Sequence, residues 1–297
     1  MMGIHKGRAF MKIPKYWAKE EQEVKAAGRK GFLLTCWGWS DRNLQSARGK
    51  ASDRLRTAIA KVLSGSVLER YFYGRGPLRE EIIEVIRGKQ SEDLAVVTRN
   101  AYGALVLNSG NAMFMDVDLP SDKPMAGLLK FLRKLFGRGD KPLENPEMMV
   151  LERIEIWVQR QFDISLRIYR TAAGFRCMIT SNVYDPVSDT TQEMMKSLGC
   201  DPLYIRLCKE QGSFRARLTP KPWRINIDKP PWRWPFEDNR QQQESRKWQE
   251  KYGRASSAYS VCQFMKALGS GKIHSEIAPV LELHDRMCCS REHKKLA

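Results

Sequence analysis

The sequence predicts an α+β protein: a ferredoxin-like (RRM-like) β-α-β-β-α-β core, an N-terminal αβ region and a helical C-terminal appendage. Three observations lead there. A short apolar run, Ala112-Met113-Phe114-Met115-Asp116-Val117-Asp118-Leu119-Pro120, reads as a strand that ends in two acids. The segments after it alternate helical and strand periodicity in the order α-β-β-α-β, the split βαβ arrangement. At Thr219 the composition breaks into a connector rich in proline and tryptophan. The expected divisions are an N-terminal αβ region over 1–91, the core over 92–224, and the connector with a helical C-terminal region over 225–297.

Taken in order, residues 1–30 read as a basic arm followed by a short polar helix around 18–27. Residues 31–39, ending Cys36-Trp37-Gly38-Trp39, read as a buried strand. Ser40 or Asp41 can cap a following helix to about Leu63, because a short side-chain oxygen accepts from the free N–H groups of a first turn. A second helix is expected after Pro77, over about 78–86. Residues 94–99 and 102–108 form an antiparallel pair, and the acid-bearing strand is the third of that meander. Between 121 and 146 lies a basic apolar helix whose apolar face suits packing on its own domain. A helix over 146–162, a strand over 164–170, a turn at Ala172-Ala173-Gly174 and a hairpin partner over 175–180 follow. Ser188 or Asp189 caps a helix to Leu198, where Gly199 stops it. Residues 202–208 read as the next strand, and 213–218 as a further candidate. A charged helix from about Asp238 to Phe264 and a last helix over 276–289 complete the chain.

The chain has 297 residues and a formal net charge of +17, which favours a polyanionic partner, nucleic acid first. No apolar run is long enough to span a membrane, so no membrane partner is expected. Seven cysteines, irregularly spaced and without Cys-x-x-Cys, fit a reducing, cytoplasmic setting better than a disulfide framework. The N-terminus is basic but lacks the apolar stretch of a signal peptide.

Side chains two apart on a strand share a face, so Asp116 and Asp118 project side by side. Like charges that close repel unless a cation lies between them. Oxygen ligands suit a hard divalent ion, Mg²⁺ or Mn²⁺. The plainer alternative is two solvated acids beside a turn at Pro120. Arg215 and Arg217 share one face of a strand, within a stretch from Arg206 to Arg224 that alternates basic and apolar residues. Trp223 or Trp232 suits stacking on a base, or packing in a core. His274, His284, Cys288, Cys289 and His293 match no structural zinc spacing, and zinc is not expected. No phosphate-binding Gly-x-x-x-x-Gly-Lys-Ser/Thr loop is present.

An acidic pair at the end of an apolar strand, followed by an arginine-rich strand with Phe-Arg, resembles the archaeo-eukaryotic primase (primase-polymerase) superfamily over about residues 92–224. In that resemblance Asp116-Val117-Asp118 matches the first motif. Thr171 to Arg176 matches the second, with Arg176 where the superfamily has a phosphate-binding histidine. Cys200-Asp201, leading to Arg206, Phe214-Arg215 and Lys221, matches the third. The resemblance implies two-metal phosphoryl transfer, with Asp116, Asp118 and Asp201 as the catalytic acids and Asp116 and Asp118 as metal ligands. Arg176, Arg206, Arg215, Arg217 and Lys221 would hold nucleotide phosphates or template, since guanidinium grips phosphate through two parallel hydrogen bonds. Arg176 either takes over the histidine's task or marks a degenerate site. The expected function is a metal-dependent nucleotidyltransferase acting on DNA or RNA with a nucleoside triphosphate. A non-catalytic nucleic-acid-binding protein and a metal-dependent nuclease remain the alternatives.

Overall fold

A computed structural model describes residues 11–25, 30–66, 76–120, 145–288 and 294–297. It is a mixed α+β fold with six α-helices and several antiparallel sheets among the described residues. The basic helix expected within 121–146 lies outside them, as do His5, Cys289 and His293.

Strands β1 (Tyr16–Val24) and β2 (Phe32–Ser40) form an antiparallel ribbon, registered from Tyr16 opposite Ser40 to Val24 opposite Phe32. The helix expected over 18–27 is therefore β1. Its glutamate- and lysine-rich run has good helical propensity, but full-length pairing with β2 overrides it. Helix α1 (Leu44–Leu63) packs directly on the ribbon. Gly38 permits this, because a Cβ there would stand 2.2 Å from the Ala47 carbonyl oxygen and 2.3 Å from the Ala51 nitrogen. The cap is Asn43, whose Oδ1 accepts from the Ser46 N–H at 2.8 Å, rather than Ser40 or Asp41.

Strands β3 (Glu81–Arg87), β4 (Asp93–Arg99), β5 (Leu105–Ser109) and, from far along the chain, β9 (Phe214–Arg217) make the first four-stranded sheet. The helix expected over 78–86 is strand β3, drawn into the sheet by pairing with β4. Strands β6 (Phe114–Asp118), β7 (Leu166–Thr171), β8 (Gly174–Ile179) and β11 (Cys262–Leu268) make the second, in the order β11-β7-β8-β6. β8 runs antiparallel to both β6 and β7, so those two are parallel to each other. Helix α2 (Pro146–Gln159) lies between them in the chain.

Alternation divides this second sheet cleanly. Met115, Val117, Phe175, Cys177 and Ile168 share one face and join Ile154 of α2 and Met195 and Leu198 of α3 (Asp189–Leu198) in the main core. Each such side chain fully buried contributes about 1.5–3 kcal/mol. The opposite face carries Phe114, Asp116 and Asp118, with Arg176 and Tyr169 in register beside Asp116. Helix α6 (Ala278–Cys288) covers the Phe114 end of that face, where the His284 ring lies 5.2 Å from Phe114 and 4.8 Å from Tyr169. The Asp116–Asp118 end is left to the site.

Residues 202–208, expected as a strand, belong to helix α4 (Pro202–Gln211). The Asp201 carboxylate accepts from the Leu203 N–H at 2.9 Å, Pro202 occupies the first turn, and Gly212 closes the helix at φ 63°. The chain then crosses to the first sheet as β9. The long charged helix expected to Phe264 ends at Ser256 as α5 (Asn239–Ser256). The remainder forms the short strand β10 (Tyr259–Ser260), paired in parallel with β12 (Lys295–Leu296), and β11, an edge strand of the second sheet. Among the described residues no helix is long and apolar enough to cross a membrane.

Candidate functional site

A cleft of about 1200 Å³ opens between the β1–β2–α1 unit, the two sheets, the proline- and tryptophan-rich connector and α5. Six of the eight tryptophans line it: Trp17, Trp37, Trp39, Trp232, Trp234 and Trp248. The Arg54 guanidinium lies 4.6 Å from the Trp39 ring centroid and that of Arg79 lies 4.0 Å from Trp37, cation–π distances that hold the planes together. Trp37 and Trp39 were not singled out from the sequence as site residues. Their Trp-Gly-Trp spacing, which puts both rings on one strand face, was the available signal.

Asp116 stands at the inner wall. Its Oδ1 accepts from the Arg176 Nε–H at 3.0 Å, directly across the strand pair, and Arg176 Nη1 donates to the Arg217 carbonyl at 2.9 Å. The Arg176 side chain is 2% exposed and that of Asp116 36%. Burial alone would depress the Arg176 pKa, but the Asp116 carboxylate outweighs it and keeps the guanidinium charged. Arg176 thus occupies the acid expected to hold a metal. The acid keeps its other oxygen.

Asp118 lies two residues on, at the exposed end of the same face. Partial burial, then Asp116 and Asp201, push its carboxyl pKa above the ordinary value, against Lys221 and Arg224 on the basic side. Burial, then Arg217 and Arg224, pull the Lys221 pKa down. Gly174 opposes Asp118 in register, and a Cβ there would stand 2.2 Å from the Val117 carbonyl oxygen, so the turn presses directly against the acid-bearing strand. Asp201 spends one carboxylate oxygen on its helix cap, and its backbone N–H donates to the Asp116 carbonyl at 3.3 Å. The fold therefore brings the three aspartates into one electrostatic neighbourhood. Among the described residues they do not form a set whose ligand atoms all lie within 4.8 Å of one another; Cys262, His284 and Cys288 do.

The basic residues divide. Arg215 lines the cleft but is committed to Glu80, with both carboxylate oxygens 2.9 Å from Nη2. Glu80 in turn accepts from the Thr98 hydroxyl at 2.6 Å, and Thr98 Oγ1 accepts from Asn108 Nδ2 at 2.9 Å. Arg217 lines the cleft too; burial, then Arg176, pull its pKa down to about 10, and among the described residues its Nε finds no hydrogen-bond partner. Such a guanidinium is poised for an anion. Arg206 is exposed on α4 and takes no part in the cleft. Trp232 lines the cleft with its Nε1–H on Glu244 at 2.6 Å. Trp223 stands outside, edge-on to Tyr102 at 5.2 Å.

Compared with known proteins, the chain matches no family model, no curated protein and no solved structure.

Proposed function

We propose that this protein is a metal-dependent nucleotidyltransferase of primase-polymerase type that takes a single strand of nucleic acid into its tryptophan- and arginine-lined cleft. One observation carries the proposal: Asp118 feels the charge of both Asp116 and Asp201, with Lys221 and Arg224 close enough to oppose them. The order β6-α2-β7-β8-α3, with β8 between parallel β6 and β7, follows the split βαβ unit of ferredoxin-like folds and supports the same assignment, although the fourth strand of that arrangement does not come from 202–208.

The donor set fits a hard divalent ion. It is all oxygen, and the Asp118 carboxyl is raised first by burial and then by Asp116 and Asp201, a charge a bound cation would offset. Asp116, through its free oxygen, and Asp118 would hold Mg²⁺ or Mn²⁺, with Asp201 beside them. A bound ion would supply charge neutralisation for the phosphoryl group in transfer. The protein's own residues do the rest. Lys221, Arg217 and Arg224 attract the triphosphate, Arg176 fixes the orientation of Asp116, and tryptophan rings stack bases while excluding water.

Mn²⁺-dependent incorporation of labelled nucleotides on a primed template tests this. Asp118→Ala should bring incorporation to background, and it is the cleaner variant because among the described residues Asp118 has no ion pair to lose. Incorporation unchanged by that variant overturns the proposal.

A second assignment, nucleic-acid binding without chemistry, is favoured by one specific contact: Arg176 already neutralises Asp116 from a buried position. It predicts tight, salt-sensitive binding without turnover, unaffected by Asp118→Ala. Shortening of the strand without added nucleotides would point instead to a nuclease using water as nucleophile.

A further inference from the structure

We propose that Cys262, His284 and Cys288 form a metal site for zinc or a chemically similar soft divalent ion, independent of the acidic site. Cys262 begins β11, while His284 and Cys288 are one helical turn apart on α6 and so share a face. Their ligand atoms all lie within 4.8 Å of one another, and the two sulfurs are 3.5 Å apart. A disulfide would need about 2.05 Å. Tetrahedral zinc with bonds of about 2.3 Å to sulfur separates two thiolates by about 3.8 Å, close to what is present.

His284 is held by a carboxylate on its far nitrogen, as metal-bound histidines require. His284 Nδ1 meets Asp285 Oδ1 at 3.0 Å, which assigns the proton to Nδ1 and leaves Nε2, buried and without a hydrogen-bond partner among the described residues, as the metal-binding nitrogen. Asp285 is itself fixed by the Tyr169 hydroxyl at 2.7 Å and by Arg167 Nη2 at 2.9 Å. A histidine packed only as core would not need its carboxylate oriented from two further side chains. All three ligands are buried, Cys262 and His284 at 0% and Cys288 at 3% exposure. With three protein ligands the fourth tetrahedral position is left to a water or other small ligand, and the ion would tie α6 to β11 at the edge of the second sheet.

The chemistry balances. Both thiols lose their protons to solvent, two metal–sulfur bonds and one metal–nitrogen bond form, and two thiolates neutralise the dication. Arg176 remains matched by Asp116. The sequence set of His274, His284, Cys288, Cys289 and His293 missed this arrangement because Cys262 is brought in by β-pairing with β7. The backbone N–H of His274 donates to Thr180 instead.

The untagged full-length protein, purified without chelator, should carry stoichiometric zinc by plasma mass spectrometry. Exchange with Co²⁺ should give a thiolate-to-cobalt charge-transfer band and visible bands of tetrahedral intensity. Cys262→Ser, Cys288→Ser and His284→Ala should lose the metal, and Cys36→Ser should keep it. Asp285→Asn should weaken affinity about 10- to 100-fold. Should the ligand variants fail to fold, the cobalt spectrum of the native chain decides alone. Protein isolated without metal that gives no charge-transfer band with cobalt, or metal retained in all three folded variants, overturns the proposal.

Discussion

Binding of a single strand in the cleft should follow a definite salt law. Among the described residues, Arg54, Lys61, Arg217 and Arg233 line the cleft without an ion pair to a carboxylate, whereas Arg99, Arg176 and Arg215 are paired with Glu81, Asp116 and Glu80. These four can neutralise phosphate without breaking an ion pair to a carboxylate, and Arg79 is set aside because it is stacked on Trp37. Each phosphate contact on a single strand contributes a slope of about −0.7 in log affinity against log salt, so four give about −2.8. Raising salt from about 50 to about 200 mM should then weaken binding about 50-fold. Arg217→Ala should lower the slope to about −2.1 and the loss to about 20-fold. Fluorescence anisotropy of a labelled oligothymidylate at several salt concentrations measures both. Quenching of tryptophan emission should accompany binding, since six of the eight indoles line the cleft. A slope shallower than about −1, or one unchanged by Arg217→Ala, would refute the assignment of this cleft as the strand's path.

Other perturbations separate structure from chemistry. Asp116→Ala strands Arg176; breaking a fully buried pair costs about 3–5 kcal/mol, and because Asp116 is 36% exposed we expect about 1–3 kcal/mol in urea denaturation. Asp118→Asn should stabilise the protein at neutral pH by less than about 1 kcal/mol once solvent screening is allowed for. The sign follows from its raised pKa: the folded chain holds that proton more tightly, so the ionised acid weakens the fold as pH rises past its unfolded value, and the gain from the asparagine should vanish in acid. Gly174→Ala should cost about 1–3 kcal/mol, visible in thermal melts, because its methyl meets backbone 2.2 Å away. Tyr204→Phe should cost about 1–3 kcal/mol by the same assay, since its hydroxyl serves the Phe114 and Arg215 carbonyls, at 3.1 and 3.0 Å.

Local signals recovered the elements that depend on local chemistry. The acid-bearing strand, the hairpin around Gly174 and the helix stopped by Gly199 stand where alternation, a turn residue and a left-handed glycine put them, although the acid-bearing strand pairs with β8 in the second sheet and not with the meander it was expected to complete. The failures occurred where pattern and context disagree. Leu203, Ile205 and Leu207 alternate like a strand, but Asp201-Pro202 is a helix start, and ten residues suffice for α4. β1 carries a charged, helix-favouring sequence and becomes a strand because β2 stands beside it, whereas β3, Glu81–Arg87, is rich in the β-branched Ile and Val that suit the strand it forms with β4. In the site, the spacing of Asp116 and Asp118 was legible, but the claim of Arg176 on Asp116 was not, since register between β6 and β8 spans sixty residues. Of the cleft's tryptophans the sequence pointed only to Trp232, for a similar reason: its rings come from distant stretches that only folding unites.

The crossing from α4 into β9 has a mechanical consequence. Asp201 is tied by its backbone to Asp116 on one sheet, and sixteen residues later Arg217 is paired with Val106 on the other. Tyr204 fastens the same passage to both. The width of the groove and the spacing of its acids are therefore geared together, so a strand that wedges the two sheets apart must also re-space the carboxylates at its far end.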